Sequence, residues 1–216
     1  MNMALSGIDF SIPTFVTGIG TDVGKTVVSA ILCEWANADY WKPIQSGDLE
    51  GGDSQTLKKL VSHSSFRILK EAYQFDAPLS PHAAAELEGK KIKVDSIALP
   101  KSNKPFIIEG AGGLLVPLND SETVLDLIQD HHKVIVVSRH YLGSINHTLL
   151  TLQTLQEKGL DVALLFSGNP HPPTETVIQK MTGVRVLGNI YEEKVFSKEV
   201  IARYAATFRE VLCDFI

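Results

Sequence analysis

Short runs that are apolar at successive positions alternate along this chain with longer stretches whose apolar residues recur every three or four positions. The runs "PTFVTGI", "DYWKPI", "PFIIEG", "KVIVVS", "DVALLFS" and "VRVLGNI" predict strands. Between them, "KTVVSAILCEWAN", "DSQTLKKLVSH", "TVLDLIQDHH", "INHTLLTLQTLQEKG", "TETVIQKMT" and "SKEVIARYAATFREVL" carry the helical spacing. A strand without a polar face has to be covered on both sides. The alternation therefore predicts an α/β fold, a mostly parallel sheet with helices on both faces in three layers. Only about residues 71 to 104 read as a long irregular stretch. No low-complexity linker or repeat interrupts the pattern, so residues 1 to 216 read as one domain. Open parallel sheets bind ligands beyond the carboxyl ends of their strands. That rule brings the loops starting at Gly18, Pro43, Glu109, Ser138 and Ser167 to one rim.

Composition narrows the chemistry. The 216 residues are 44% hydrophobic, enough for a substantial core, and carry a formal net charge of −5. An acidic chain is poorly suited to nucleic acid or an anionic membrane surface, so phosphate chemistry would have to use locally placed lysines. The two cysteines, Cys33 and Cys213, have neither metal-ligand spacing nor a disulfide framework, which fits a reduced, cytoplasmic setting. The start, "MNMALSGIDFSI", has no basic segment followed by a long apolar core, and no stretch approaches the roughly 20 apolar residues that span a bilayer. A soluble protein without a targeting segment is the expectation.

The first strand leads into "GIGTDVGKT" and then into a helix, the context that gives a phosphate-binding loop its meaning. Backbone N–H groups and the helix dipole would cradle phosphates, Lys25 would neutralise the β and γ oxygens, and the Thr26 hydroxyl would ligate Mg²⁺. Five residues separate Gly18 from Gly24, one more than in the usual loop. Lys42 ends the second strand, since Pro43 follows and a helix cannot start there. Alone it reads as a turn lysine, and Asp53, opening the next helix after "EGGD", reads alone as an N-cap. "FIIEGAGG" says more, because an apolar strand ends in Glu109 and is followed by Gly110, Gly112 and Gly113, where backbone approaches closely. Thr26, Asp53 and Glu109 together are three oxygen donors suited to Mg²⁺ rather than to a transition metal.

Taken in order, "GTDVGKT", "KPIQSG", "SPHAAA", "EGAGGLLVPL" and "LGSINHTLLT" resemble the signature segments of the dethiobiotin synthetase family and cover most of residues 14 to 155. The long phosphate loop is that family's form. The resemblance implies a P-loop NTPase-like fold, ATP as co-substrate with Mg²⁺, and a homodimer. It implies that 7,8-diaminononanoate forms a carbamate with CO₂, that the carbamate attacks the γ-phosphoryl group, and that the second amine closes the ring. Lys42, Lys25 and Thr21 would serve the chemistry. Asp22, Val23, Gly24, Thr26 and Val27 would meet the nucleotide phosphates together with Asp53, Glu109, Gly110, Ala111 and Gly112. Ser46 would bind the diamine or its carbamate, and Gly143, Ser144, Ile145 and Asn146 at a helix start would hold the substrate carboxylate across the dimer interface. On the side of the base, Gly168 stands where relatives carry an asparagine, with Asn169 beside it, and Tyr191 replaces a proline.

Of the histidines, His131 and His132 read as the end of a helix, His63 and His171 as loop residues, and His82 belongs to "SPHAAA". A second class of function shares this pattern: a MinD-like switch ATPase, which uses ATP to control dimerisation or membrane association. Gly20 stands where its signature lysine would be, and no terminal basic amphipathic helix is evident. A cobyrinate amidase-like fragment would lack room for its glutaminase domain.

Overall fold

The computed structural model describes residues 12–216; the expectation about a targeting segment concerns residues that lie largely outside that range. In chain order the first half comprises β1 (Thr14–Gly18), α1 (Lys25–Ala36), β2 (Asp39–Trp41), β3 (Ile44–Ser46), α2 (Asp53–Leu60), β4 (Ile68–Leu69), β5 (Tyr73–Phe75) and α3 (Pro81–Leu87). The second comprises β6 (Phe106–Gly113), β7 (Lys133–Arg139), α4 (Ser144–Glu157), β8 (Asp161–Ser167), α5 (Pro172–Thr182), β9 (Arg185–Ile190), α6 (Lys198–Thr207) and α7 (Arg209–Cys213).

Seven strands pair, all in parallel, in the order β4-β2-β6-β1-β7-β8-β9. β1 is the centre, and its registers with β6 (Phe15 opposite Ile108) and β7 (Phe15 opposite Val134) align the three carboxyl ends. The chain crosses from β1 outward to β2 on one side and from β7 outward to β8 and β9 on the other. Right-handed crossovers in opposite directions put their helices on opposite faces. Accordingly α1 packs on β6 and α6, while α4 packs on β7, β8 and α5. Both layers bury apolar side chains against the sheet. Phe15, Val134, Ile135, Leu164 and Leu152 have no measurable exposure, and burying one such side chain contributes about 1.5–3 kcal/mol. Because the direction of winding reverses at β1, the crevice for a ligand opens at the ends of β1, β6 and β7.

Four sequence expectations need correction. "DYWKPI" is not one strand: Pro43 has no N–H for the ladder, and the chain leaves the main sheet there to form β3, which pairs with β5 in a separate two-stranded parallel sheet. The stretch 71 to 104 is not wholly irregular, since it holds β5 and α3. "TVLDLIQDHH" forms only a 3₁₀ turn, Val124–Leu127, because the reciprocal capping of Thr123 and Asp126 starts a turn that Ile128, in extended conformation, ends at once. His131 and His132 therefore end no helix; His132 is buried at the start of β7. "SKEVIARYAATFREVL" breaks into α6 and α7 at Phe208, whose ring lies where a Cβ on Gly188 would sit at 2.7 Å.

Candidate active site

The phosphate-binding loop follows from close packing beneath it. A Cβ on Gly18 would stand 2.5 Å from Val23 Cγ2 and 3.2 Å from Lys25 Cγ, so only glycine lets the loop fold back on the end of β1. Gly24 has φ +99° and Asp22 φ +56°; these left-handed turns raise the loop and then aim it into α1. Gly24 supplies no side-chain cap, which leaves the first N–H groups of α1 for an anion. Ser167 Oγ donates to the Val23 carbonyl at 2.6 Å and ties the loop to the end of β8. Lys25 Nζ donates to the Gly20 carbonyl at 2.8 Å, so its ammonium already lies over the loop.

Below the loop four side chains from four segments meet. Thr26 Oγ1, in the first turn of α1, contacts Asp53 Oδ1 at 2.6 Å and Glu109 Oε1 at 3.1 Å. Lys42, beyond β2, donates to Asp53 Oδ2 and lies 3.9 Å from Glu109 Oε1. The far oxygen of Glu109, Oε2, accepts from Ser29 Oγ at 2.7 Å and from Tyr40 OH at 3.0 Å. Lys25, Lys42 and Glu109 are 7%, 6% and 1% exposed, so these charges have left bulk water and depend on one another for compensation.

Their ionisation follows from that arrangement. Burial lowers the Lys25 pKa, with Glu109 acting against it and Lys42 reinforcing it. Burial pushes the Asp53 carboxyl up, but the Lys42 charge and the hydrogen bonds from Lys42 and Thr26 outweigh it and hold the group below the usual carboxylate range. Glu109 goes the other way: burial raises its pKa, Lys42 opposes, and the neighbouring Asp53 raises it further. The two carboxylates are thus driven apart by their surroundings.

A cavity of about 540 Å³ opens over this cluster. The structure brings Thr21, Asp22, Gly24, Lys25, Thr26 and Val27 to its wall on one side, and Lys42, Asp53, Glu109 and Gly112 on another. Gly168 closes the far end together with Ile190, Tyr191 and Phe196. Not every expected residue lines this cavity. Val23 is buried behind the loop, Gly110 and Ala111 lie within β6, and Asn169 is exposed beside Gly168. Ser46 ends β3 away from the cavity wall, with its buried Oγ lacking a hydrogen-bond partner. Gly143, Ser144, Ile145 and Asn146 form the start of α4 and line none of their own chain's cavity. Two groups of wall or supporting residues went unread. Arg139, ion-paired with Glu192 at 3.0 Å, is the last residue of β7 and was accessible through the rim rule. Ser29 and Tyr40 were hidden in an apolar helix and an apolar strand, with no local signal.

The kinship of the chain agrees with this geometry. A family model described as an AAA domain matches residues 13–200. The chain is 53% identical over 201 residues to the ATP-dependent dethiobiotin synthetase BioD of Christiangramia forsetii, an alignment covering 93% of this chain and 97% of that protein. With the protein of the same name from Cytophaga hutchinsonii it shares 49% identity, over 88% of this chain and 94% of the relative. It belongs to the dethiobiotin synthetase family. The family's members are ATP-dependent ligases of biotin biosynthesis, and this chain is one of these P-loop enzymes. Among solved structures, the cell division ATPase MinD of Pyrococcus furiosus superposes with a TM-score of 0.58 at 14% identity, over 93% of this chain and all of that one. A ParA family ATPase from Chlorobium tepidum gives 0.57 at 14% identity, over 90% and 98%. These two likenesses are of fold alone. No helix among the described residues is long and apolar enough to cross a membrane.

Proposed function

We propose that this chain carboxylates 7,8-diaminononanoate with CO₂ and closes the ureido ring of dethiobiotin at the expense of ATP, residues 1 to 216 acting as one domain. The observation that carries the reading is the convergence of Lys25, Lys42, Thr26, Asp53 and Glu109 beneath one phosphate loop. The donors fit Mg²⁺. Thr26 Oγ1 lies within hydrogen-bond distance of an oxygen of each carboxylate, and a hydroxyl with two carboxylates is the partial set that this ion completes with substrate phosphates and water. Among the described residues no cluster of three or more His, Cys, Asp or Glu offers a closed protein cage instead. Bound there, Mg²⁺ would neutralise charge on the β and γ oxygens.

An amine nitrogen of the substrate bonds to the carbon of CO₂ and loses a proton, giving a carbamate. A carbamate oxygen then attacks the γ-phosphorus, breaking its bond to ADP. The second amine attacks the carbamoyl carbon, forming the second C–N bond, releasing a proton and expelling phosphate. The hard step is the approach of two anions. Like unit charges about 4 Å apart repel by roughly 4 kcal/mol at an effective dielectric of about 20, close to a thousandfold in rate. Lys42 and Lys25 supply the opposing charge at that point, and Thr21, on the cavity wall, has a hydroxyl for the transferring oxygens. Asp22, Gly24 and Val27 on the cavity wall present the triphosphate with Val23 packed behind them, and Gly112, which Gly110 and Ala111 precede in β6, borders the reacting end. Gly168, with Asn169 beside it, borders the base.

The homodimer reading has its own support. Around the start of α4, Tyr141, Leu142, Ile145 and Leu150 are exposed apolar side chains, Leu142 completely so. A second copy covering them would receive Gly143, Ser144, Ile145 and Asn146 beside its own cavity, there to bind the substrate carboxylate, while the unpartnered Ser46 hydroxyl meets the amine or carbamate. Preformed ¹⁸O-labelled bicarbonate, used in a time short against exchange with water, tests the route. One labelled oxygen should appear in the released phosphate, delivered from the carbamate; phosphate without label would mean that water, not a carbamate, attacks ATP.

A further inference from the structure

Glu109 reaches the cavity from the interior of the sheet, and only one of its oxygens faces the loop. Oε1 is near Thr26 and Lys42. Oε2 is turned inward and held by two hydroxyls that come from different layers of the fold. Ser29 lies one turn after Thr26 on the same face of α1, so a single helix face contacts both carboxylate oxygens, Thr26 Oγ1 on Oε1 and Ser29 Oγ on Oε2. Tyr40 comes from β2, the strand hydrogen-bonded to β6, where it stands opposite Ile107, and its hydroxyl meets the same Oε2.

We infer that Ser29 and Tyr40 are positioning residues, which fix the rotation of the Glu109 carboxylate so that Oε1 is presented to the divalent cation. The inference rests on the reading of Glu109 as a ligand of that cation. Ser29 and Tyr40 are both fully buried, and each donates to Glu109 Oε2. A serine inside a helix otherwise bonds back to a carbonyl in the preceding turn. Here it gives that up for the carboxylate. Two donors converging on one oxygen remove the carboxylate's freedom to rotate about its last torsion, which is otherwise broad. A ligand locked in this way binds metal without paying for its own ordering, and loss of such outer partners typically lowers metal affinity about 10–100-fold.

The test uses the intact protein with ATP and Mn²⁺ as the probe ion, bound Mn²⁺ being read by electron paramagnetic resonance. Tyr40→Phe and Ser29→Ala should each weaken Mn²⁺ binding by about tenfold or more. ATP binding measured in a chelator, where no cation bridges, should stay at the wild-type level. Glu109→Gln is the reference variant. If Glu109→Gln weakens Mn²⁺ binding while both hydroxyl variants bind it as the wild type does, the positioning role is overturned and Glu109 stands as a ligand. If Glu109→Gln itself binds Mn²⁺ normally, the ligand reading fails and this inference with it. Should Tyr40→Phe not fold, Ser29→Ala decides the matter alone.

Discussion

Lys42 Nζ is seated on Asp53 Oδ2, and the same ammonium is 3.9 Å from Glu109 Oε1. A lysine thus holds the two carboxylates that the proposed reaction assigns to a divalent cation. The contact explains why Asp53 keeps its charge although it is partly buried. It also keeps Lys42 on the wall of the cavity that Lys25 lines.

Replacing Lys42 or Lys25 by alanine should lower turnover on the order of 10²-fold or more, as the loss of an electrostatic stabiliser does. Melting temperatures measured alongside separate lost chemistry from lost folding. Near wild-type turnover in Lys42→Ala would remove it from the reaction.

The loop makes a steric prediction with an internal control. Gly18→Ala drives a Cβ to 2.5 Å from Val23, whereas Gly20→Ala meets nothing within 4 Å. Overpacking of this kind costs about 1–3 kcal/mol. Gly18→Ala should therefore lower both melting temperature and calorimetric ATP affinity, and Gly20→Ala should leave both close to the wild type.

His132 predicts how stability depends on pH. Burial, with His131 beside it, lowers its pKa from 6.5 to about 4. Its Nδ1 accepts from the Gln129 N–H at 3.2 Å, which requires the neutral ring. The unfolded chain binds the proton first, so this contribution is complete above about pH 6.5 and is lost as pH falls toward about 4. Between about pH 7.5 and pH 5 the wild type should lose about 2 kcal/mol in chemical denaturation through this residue. His132→Gln should lack that part of the slope.

How much of this was legible in the sequence depends on how local each cause is. Strands buried on both faces have to be apolar at successive positions, so the main sheet and its rim could be read directly, with Lys42 just past the end of β2; Glu109, read as a strand end, lies inside β6, because the glycines after it continue the ladder to Gly113. What escaped depends on partners far along the chain. β5 exists because β3, 27 residues or more away, is free to pair with it once Pro43 has broken the main ladder. The region of Thr123–His132 has helical spacing, yet Gln129 spends its N–H on the His132 ring and the chain straightens into β7. Ser29 and Tyr40 look like any residues of an apolar helix and strand until Glu109 stands between them.

The proposed composite dimer site predicts recovery from two inactive chains. Lys25→Ala damages the phosphate loop, and Asn146→Trp, at an exposed position, blocks the start of α4 without disturbing the core. Under conditions that exchange subunits, random pairing gives mixed dimers with one good site of two, and about a quarter of the wild-type total should return. No recovery despite demonstrated exchange would mean that the carboxylate is bound within one chain.

In the proposed reaction, ATP cleavage is coupled to carboxylation of a diamine. Purified protein with Mg²⁺, ATP, ¹⁴C-bicarbonate and 7,8-diaminononanoate tests it in one vessel. One phosphate should be released per labelled dethiobiotin formed, with phosphate release falling to background when the diamine is left out. Phosphate release that ignores the diamine, with no label in dethiobiotin, would contradict it and favour a nucleotide-driven switch.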